Sequence, residues 1–216
     1  MTSLDYTQYS QLYARYVRPK RTQVLLNGCG PFRGLRVLDL CGGGGRVSLE
    51  AIERGAEQVL LVDASPQMVQ HLANTPKLSL LVAPLETVLP DLLPGGPFDV
   101  VVCQQAINLW FCPELIGRVR AQMREGGVFV FDTFWQQPCP VPVAKEYDLG
   151  GRRYQELMWS CGEHVVEHVQ VCEGMASHSM RFKWVSPAQF RAALEPHFVV
   201  EEYREGRASI YRCTAR

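Results

Sequence analysis

The chain has 216 residues, 47% of them apolar and 20% charged, which suits one sizeable domain, or a domain with an appendage, and supplies a full core. Its 22 Lys and Arg balance 22 Asp and Glu, so no net field draws it to nucleic acid or an anionic membrane, and no apolar run approaches the ~20 residues of a membrane span. The N-terminus lacks the apolar stretch of a signal peptide, and the 8 scattered cysteines form no CxxC pair; a reduced, cytoplasmic protein with structural thiols is expected, rather than a disulfide framework or a zinc site.

Residues 5–26 carry Tyr6, Tyr9, Tyr13 and Tyr16 at spacings of three and four, a helical stripe that suits either core packing or a lid, with a short basic cluster (Arg15, Arg18, Lys20, Arg21) at its end. A strand over 36–41 (RVLDLC) runs into four glycines, and a helix over 46–54 closes at Gly55. A second strand, 58–63 (QVLLVD), leads to a helix opened by Ser65 and Pro66, an N-cap followed by a proline suited to the first turn. The apolar runs 78–82, 98–103 and 128–132 read as buried strands, and 113–124 as a helix stopped by Gly126 and Gly127. Continuous apolar strands alternating with helices predict a parallel sheet covered on both faces, a doubly wound, Rossmann-like α/β fold over 36–135. Residues 138–185 look like an antiparallel meander covering a substrate, and 186–216 like a capped helix with a closing hairpin.

Glycine is costly inside regular structure, so four in a row after a buried strand point to a sharp turn or a backbone lying against a ligand. In an open α/β sheet, ligands bind beyond the carboxyl ends of the strands. Asp63 ends the second strand where an acid can meet a ribose diol, so the layout suits a nucleoside-bearing cofactor. The dinucleotide fingerprint fails, because Val47 or Ser48 stands where its third small residue belongs, and no Gly-Lys-Ser/Thr supplies a P-loop. A cofactor without phosphate, whose cationic amino-acid tail meets Asp39, fits what remains.

At these residues VLDLCGGGGR resembles the first motif of class I S-adenosylmethionine-dependent methyltransferases, commonly VLDLGCGTGR. LLVDASPQMV, FDVVVCQQAINLW and REGGVFVFDTF resemble the later motifs of that family in the same order. The resemblance implies S-adenosylmethionine as cofactor, with Asp39 organising its amino group and Cys41, Gly42, Gly43 and Gly45 forming the glycine turn. It implies that Asp63 binds the ribose, that Ala64 and Met68 sandwich the adenine, and that Leu85 or Glu86 takes over the adenine edge, since Pro84 stands where the family usually has an acid. Gln104 and Gln105 would flank the sulfonium, and Tyr16 and Arg18 of an N-terminal lid helix would lie nearest the methionine carboxylate. Asn108 could orient the acceptor or cap a helix.

The resemblance thus implies transfer of a methyl group to a small molecule by Asn108, Gln105 and Tyr16, and the balanced charge argues against nucleic acid and membrane as partners. Attack on another sulfonium carbon and a non-catalytic cofactor-binding module are the alternatives. No metal is expected, although His164 and His168 would share one face of a strand, where a metal pair competes with an ordinary lid surface. Cys41, Cys103 and Cys112 raise an arsenite-methylating reading, but their spacing shows no grouped trio. Trp110, Trp135, Trp159 and Trp184 could wall an apolar or cationic pocket.

Overall fold

The computed structural model describes residues 19–134, 137–148, 151–174, 177–205 and 208–216. The tyrosine stripe, Tyr16, Arg18 and Trp135 lie outside the described residues, and the first described element is α1 (Pro19–Asn27).

Five strands are parallel: β1 (Arg36–Leu40), β2 (Gln58–Asp63), β3 (Leu78–Val82), β4 (Phe98–Cys103) and β5 (Met123–Phe134). β10 (Phe198–Glu205) and β11 (Ala208–Ala215) complete the sheet as an antiparallel hairpin, giving the order β10-β11-β5-β4-β1-β2-β3. Alternation along each strand feeds two cores. Leu38, Leu40, Val101, Phe129 and Phe131 pack on one face with Phe190 and Tyr211. Val37, Val100, Val102 and Val130 pack on the other with Leu25, Leu26, Val47 and Ala51. Helices α2 (Arg46–Glu53), α3 (Pro66–Val69), α4 (Leu85–Val88), α5 (Ile107–Trp110) and α6 (Pro113–Ala121) follow β1 to β4. Ser65 caps α3 by accepting from the Met68 N–H at 3.4 Å, with Pro66 in the first turn.

One boundary differs from the sequence expectation. Helix α6 stops at Ala121, and Gly126 and Gly127 lie inside β5 rather than ending the helix. The pairing of β4 with β5 skips from Phe98–Met123 to Val100–Val128, so the glycines form an irregularity in the strand. A Cβ at Gly127 would stand 3.0 Å from the Arg124 carbonyl and 3.1 Å from that of Asp99, both fixed backbone. Gly-Gly serves close strand approach here, not helix termination.

Between β5 and α7 (Pro187–Leu194) the chain builds a separate antiparallel sheet, β6 (Val143–Asp148), β7 (Arg153–Gly162), β8 (Val165–Cys172) and β9 (His178–Lys183), in that order. Phe182 stacks on Phe134 at the carboxyl end of β5, with centroids 5.9 Å apart. The face bearing Phe182 is therefore the one turned toward the carboxyl edge of the main sheet.

Candidate functional site

The order reverses around β1, placing the carboxyl ends of β1 and β4 side by side, the position where open α/β sheets bind ligands. The turn after β1 is wound through left-handed conformations at Cys41 (φ 54°), Gly43 (φ 51°) and Gly45 (φ 74°). Gly42 lies tightly against its neighbours: a Cβ there would meet Leu61 Cγ at 2.5 Å and Asp39 Oδ2 at 2.8 Å. The Gly45 carbonyl accepts the Leu49 N–H at 2.8 Å, opening α2. Cys41, where the motif usually has glycine, holds a left-handed backbone that side chains rarely adopt.

Asp39 is 1% exposed. Its Oδ2 accepts from the Ser48 hydroxyl at 2.6 Å, while Oδ1 has no hydrogen-bond partner. Burial pushes this carboxyl up to about 7, against the lowering effect of the Ser48 bonds; the Asp63 charge raises it further. A buried acceptor left unsatisfied is expensive unless a donor arrives. Asp63 accepts from the Gly43 N–H through Oδ2 at 2.8 Å and from the Ser65 N–H through Oδ1 at 2.9 Å. Burial raises it as well, opposed by those two N–H bonds. The acid at the end of β2 therefore shapes the glycine turn and caps the next segment, while each of its oxygens keeps a second lone pair. A buried carboxylate awaiting a donor beside a partly exposed one fits a ligand with an ammonium and a diol.

The remaining predicted residues are placed less uniformly. Ala64 and Glu86 are exposed, whereas Met68 packs with Leu61, Val69 and Leu72, and Leu85 joins the main core. Gln104, at the end of β4, meets the buried Thr22 hydroxyl of α1, with Nε2 at 3.0 Å and Oε1 at 3.1 Å. Gln105 is exposed and left-handed (φ 57°), its N–H donating to Asp132 Oδ1 at 2.6 Å. Asn108 does not cap α5, whose N-cap is Ala106. Its Nδ2 donates to the Lys183 carbonyl at 2.9 Å, and its Oδ1 accepts from the Thr133 hydroxyl at 2.6 Å, so it joins β5 to β9. Tyr16 and Arg18 lie outside the described residues.

His164 lies outside the strand, in the turn before β8 at φ 59°. It stacks on Trp184, whereas His168 Nε2 lies 2.8 Å from Glu156 Oε1. Among the described residues no group of three or more His, Cys, Asp or Glu is placed to hold a metal, the three cysteines included. Burial raises the thiols of Cys41 and Cys103 well above the usual range, which disfavours thiolate chemistry. Sequence reasoning missed Ser48, Thr22 and Asp132. Ser48 left a faint trace, a small polar residue on the buried side of α2, whereas the other two act across the fold and leave none.

Residues 37–127 match the family described as "Methyltransferase domain". Ribosomal protein L11 methyltransferases from Bordetella parapertussis and Bordetella bronchiseptica are 36% identical over 88 residues, covering 40% of this chain. The matched part spans only 28% of those proteins. Among solved structures, an amino pentose methyltransferase from Micromonospora echinaspora involved in calicheamicin biosynthesis superposes with a TM-score of 0.73 at 18% identity, covering 96% of each chain. DesVI from Streptomyces venezuelae gives 0.72 at 17% identity over 98% of both chains. A sugar N-methyltransferase from Streptoalloteichus gives 0.66 at 18%, covering 96% of this chain and 92% of its own. The chain thus matches a methyltransferase domain over residues 37–127 and shares the fold of these solved methyltransferases.

Proposed function

We propose that this protein is a methyltransferase using S-adenosylmethionine as donor and a small molecule as acceptor. One observation carries the reading: a buried carboxylate with an unpartnered oxygen, Asp39, faces Asp63 across a glycine turn with no room for a Cβ at position 42. When bound, the cofactor supplies an electrophilic methyl carbon on a sulfonium.

Asp39 Oδ1 accepts the cofactor ammonium, and Asp63 accepts the ribose hydroxyls through the lone pairs left by the Gly43 and Ser65 N–H groups. Ala64 and the edge of Met68 flank the adenine, with Leu85 and Glu86 at its rim. Gln104 and Gln105 would lie near the sulfonium. The protein aligns the acceptor in line with the methyl carbon and excludes water, with the four-stranded sheet as roof. Whole-chain superposition on sugar methyltransferases supports a small acceptor, and the balanced charge supports a partner other than nucleic acid. A cytoplasmic setting belongs to the same reading; among the described residues no helix is long and apolar enough to cross a membrane.

The test is calorimetry with S-adenosylmethionine, S-adenosylhomocysteine, NAD and ATP, followed by product analysis. The two sulfur nucleosides bind, and turnover leaves S-adenosylhomocysteine. Equal binding of NAD, or methylthioadenosine as product, overturns the reading.

A further inference from the structure

We propose that Ser48 is a positioning residue for the cofactor's amino group: it holds Oδ2 of Asp39 with an uncharged donor and leaves Oδ1, with the charge of the carboxylate, for a cationic group of the ligand. This rests on the function proposed above and names the residue that lets the site tell a ligand with an amino group from one without.

Asp39 stands among apolar neighbours. Its register partners are Leu61 on β2 and Val102 on β4, both fully buried. The buried residues of α2 are Val47, Ser48 and Ala51, so Ser48 is the polar side chain among them. On the Oδ2 side the carboxylate lies against the backbone of Gly42, where an added Cβ would stand 2.8 Å away. Ser48 closes the rest of that side with two donors, its hydroxyl at 2.6 Å and its backbone N–H. That N–H belongs to the first turn of α2, whose donors find no partner within the helix. Oδ1 is buried and has no hydrogen-bond partner.

The chemistry of the donor is what matters. Buried carboxylates are usually paired with a cation, yet among the described residues no Lys, Arg or His forms an ion pair with Asp39. The titratable groups that reach it are Asp63 at the end of β2 and the thiols of Cys41 and Cys103, none of them positive. A cation would neutralise the carboxylate and compete with an arriving ammonium. A hydroxyl gives one hydrogen bond and leaves the charge in place. Burial pushes the Asp39 carboxyl up, and the Ser48 bonds act against it, so removing the hydroxyl makes ionisation harder.

The test is calorimetry on the full chain at pH 6 and pH 7.5 with two ligands that differ in one group, S-adenosylhomocysteine and its deaminated analogue S-adenosyl-4-mercaptobutyrate. Ser48→Ala weakens S-adenosylhomocysteine about tenfold or more and leaves the analogue within about twofold. The loss is larger at pH 6 than at pH 7.5, and Ser48→Cys, nearly the same shape with a weaker donor, falls between. Equal losses for the two ligands overturn the inference, because Ser48 then only caps α2; no loss for either overturns it too. Carbon-13 NMR of the aspartate carboxyls, with Asp39 assigned from Asp39→Asn, gives a reading without ligand. The Asp39 midpoint rises in Ser48→Ala, and an unmoved midpoint overturns the inference. If wild type binds neither ligand the proposed function fails, while this titration still decides the role of Ser48. Should Ser48→Ala not fold, Ser48→Cys carries the same comparisons with the same outcomes.

Discussion

On the proposed function Asp39 is the residue that meets the cofactor ammonium, and its protonation makes a measurable demand. Burial raises its folded value to about 7 from an ordinary 3.8. The stability this group contributes is therefore complete below pH 3.8 and lost as pH rises through about 7, because the ionised form is the one that burial penalises. A cofactor ammonium needs the ionised form, so binding must release a proton at pH 6 and less of one at pH 7.5. Calorimetry in buffers of different ionisation heat should show that release, with affinity severalfold weaker at pH 6 than at pH 7.5. Pair-wise dependence on Asp63 adds a second expectation. Asp63→Ala loses the ribose contacts and also frees the Gly43 and Ser65 N–H groups. S-adenosylmethionine should bind about tenfold to a hundredfold more weakly. Urea unfolding without ligand should show a further loss of about 1–3 kcal/mol. A change in affinity with unaltered stability would mean that the turn holds itself.

At the scale of elements, the loop before β4 depends on one buried amide. Gln122 accepts the Leu93 N–H at 2.9 Å and donates to the Asp91 carbonyl at 2.8 Å, while its own carbonyl accepts the Phe98 N–H at 2.8 Å. Gln122→Leu keeps the volume but strands the Leu93 N–H and the Asp91 carbonyl, and chemical denaturation should report a loss of about 2–6 kcal/mol, from two orphaned groups at roughly 1–3 kcal/mol each. Nothing in the sequence announces Gln122, since a glutamine after a helix is an ordinary surface residue until the fold surrounds it. Strands β1, β2 and β4 were legible because strands buried on both faces are apolar throughout. The start of β5 was not, because Gly126 and Gly127 carry the same signal whether they stop a helix or let two strands approach. Asp39 and Asp63 were legible as a pair by their strand-end positions. Asn108 was legible as important but not as a bridge, because both of its partners are distant in sequence. His168 likewise needed the register of β7 against β8 to find Glu156.

At the scale of the molecule, Asn108 ties the two sheets together. Asn108→Ala removes the bonds to Lys183 and Thr133 together. Cofactor affinity should stay within about twofold, since Asp39 and Asp63 are untouched, while amides of 178–183 should exchange faster with deuterium and acceptor KM should rise severalfold. Unchanged exchange across β9 would show that the Phe134–Phe182 stack holds the roof alone.

The placement of β11 bears on how the molecule is made. It lies between β5 and β10, paired to both, although every other strand precedes it in the chain. While the chain is being synthesised, the five parallel strands can associate but β5 keeps a bare edge along VFVFDTF until residues 208–215 leave the ribosome. Chaperone demand and losses to aggregation should therefore concentrate in the interval between translation of residue 134 and of residue 215, and slowing synthesis there should lower the soluble yield.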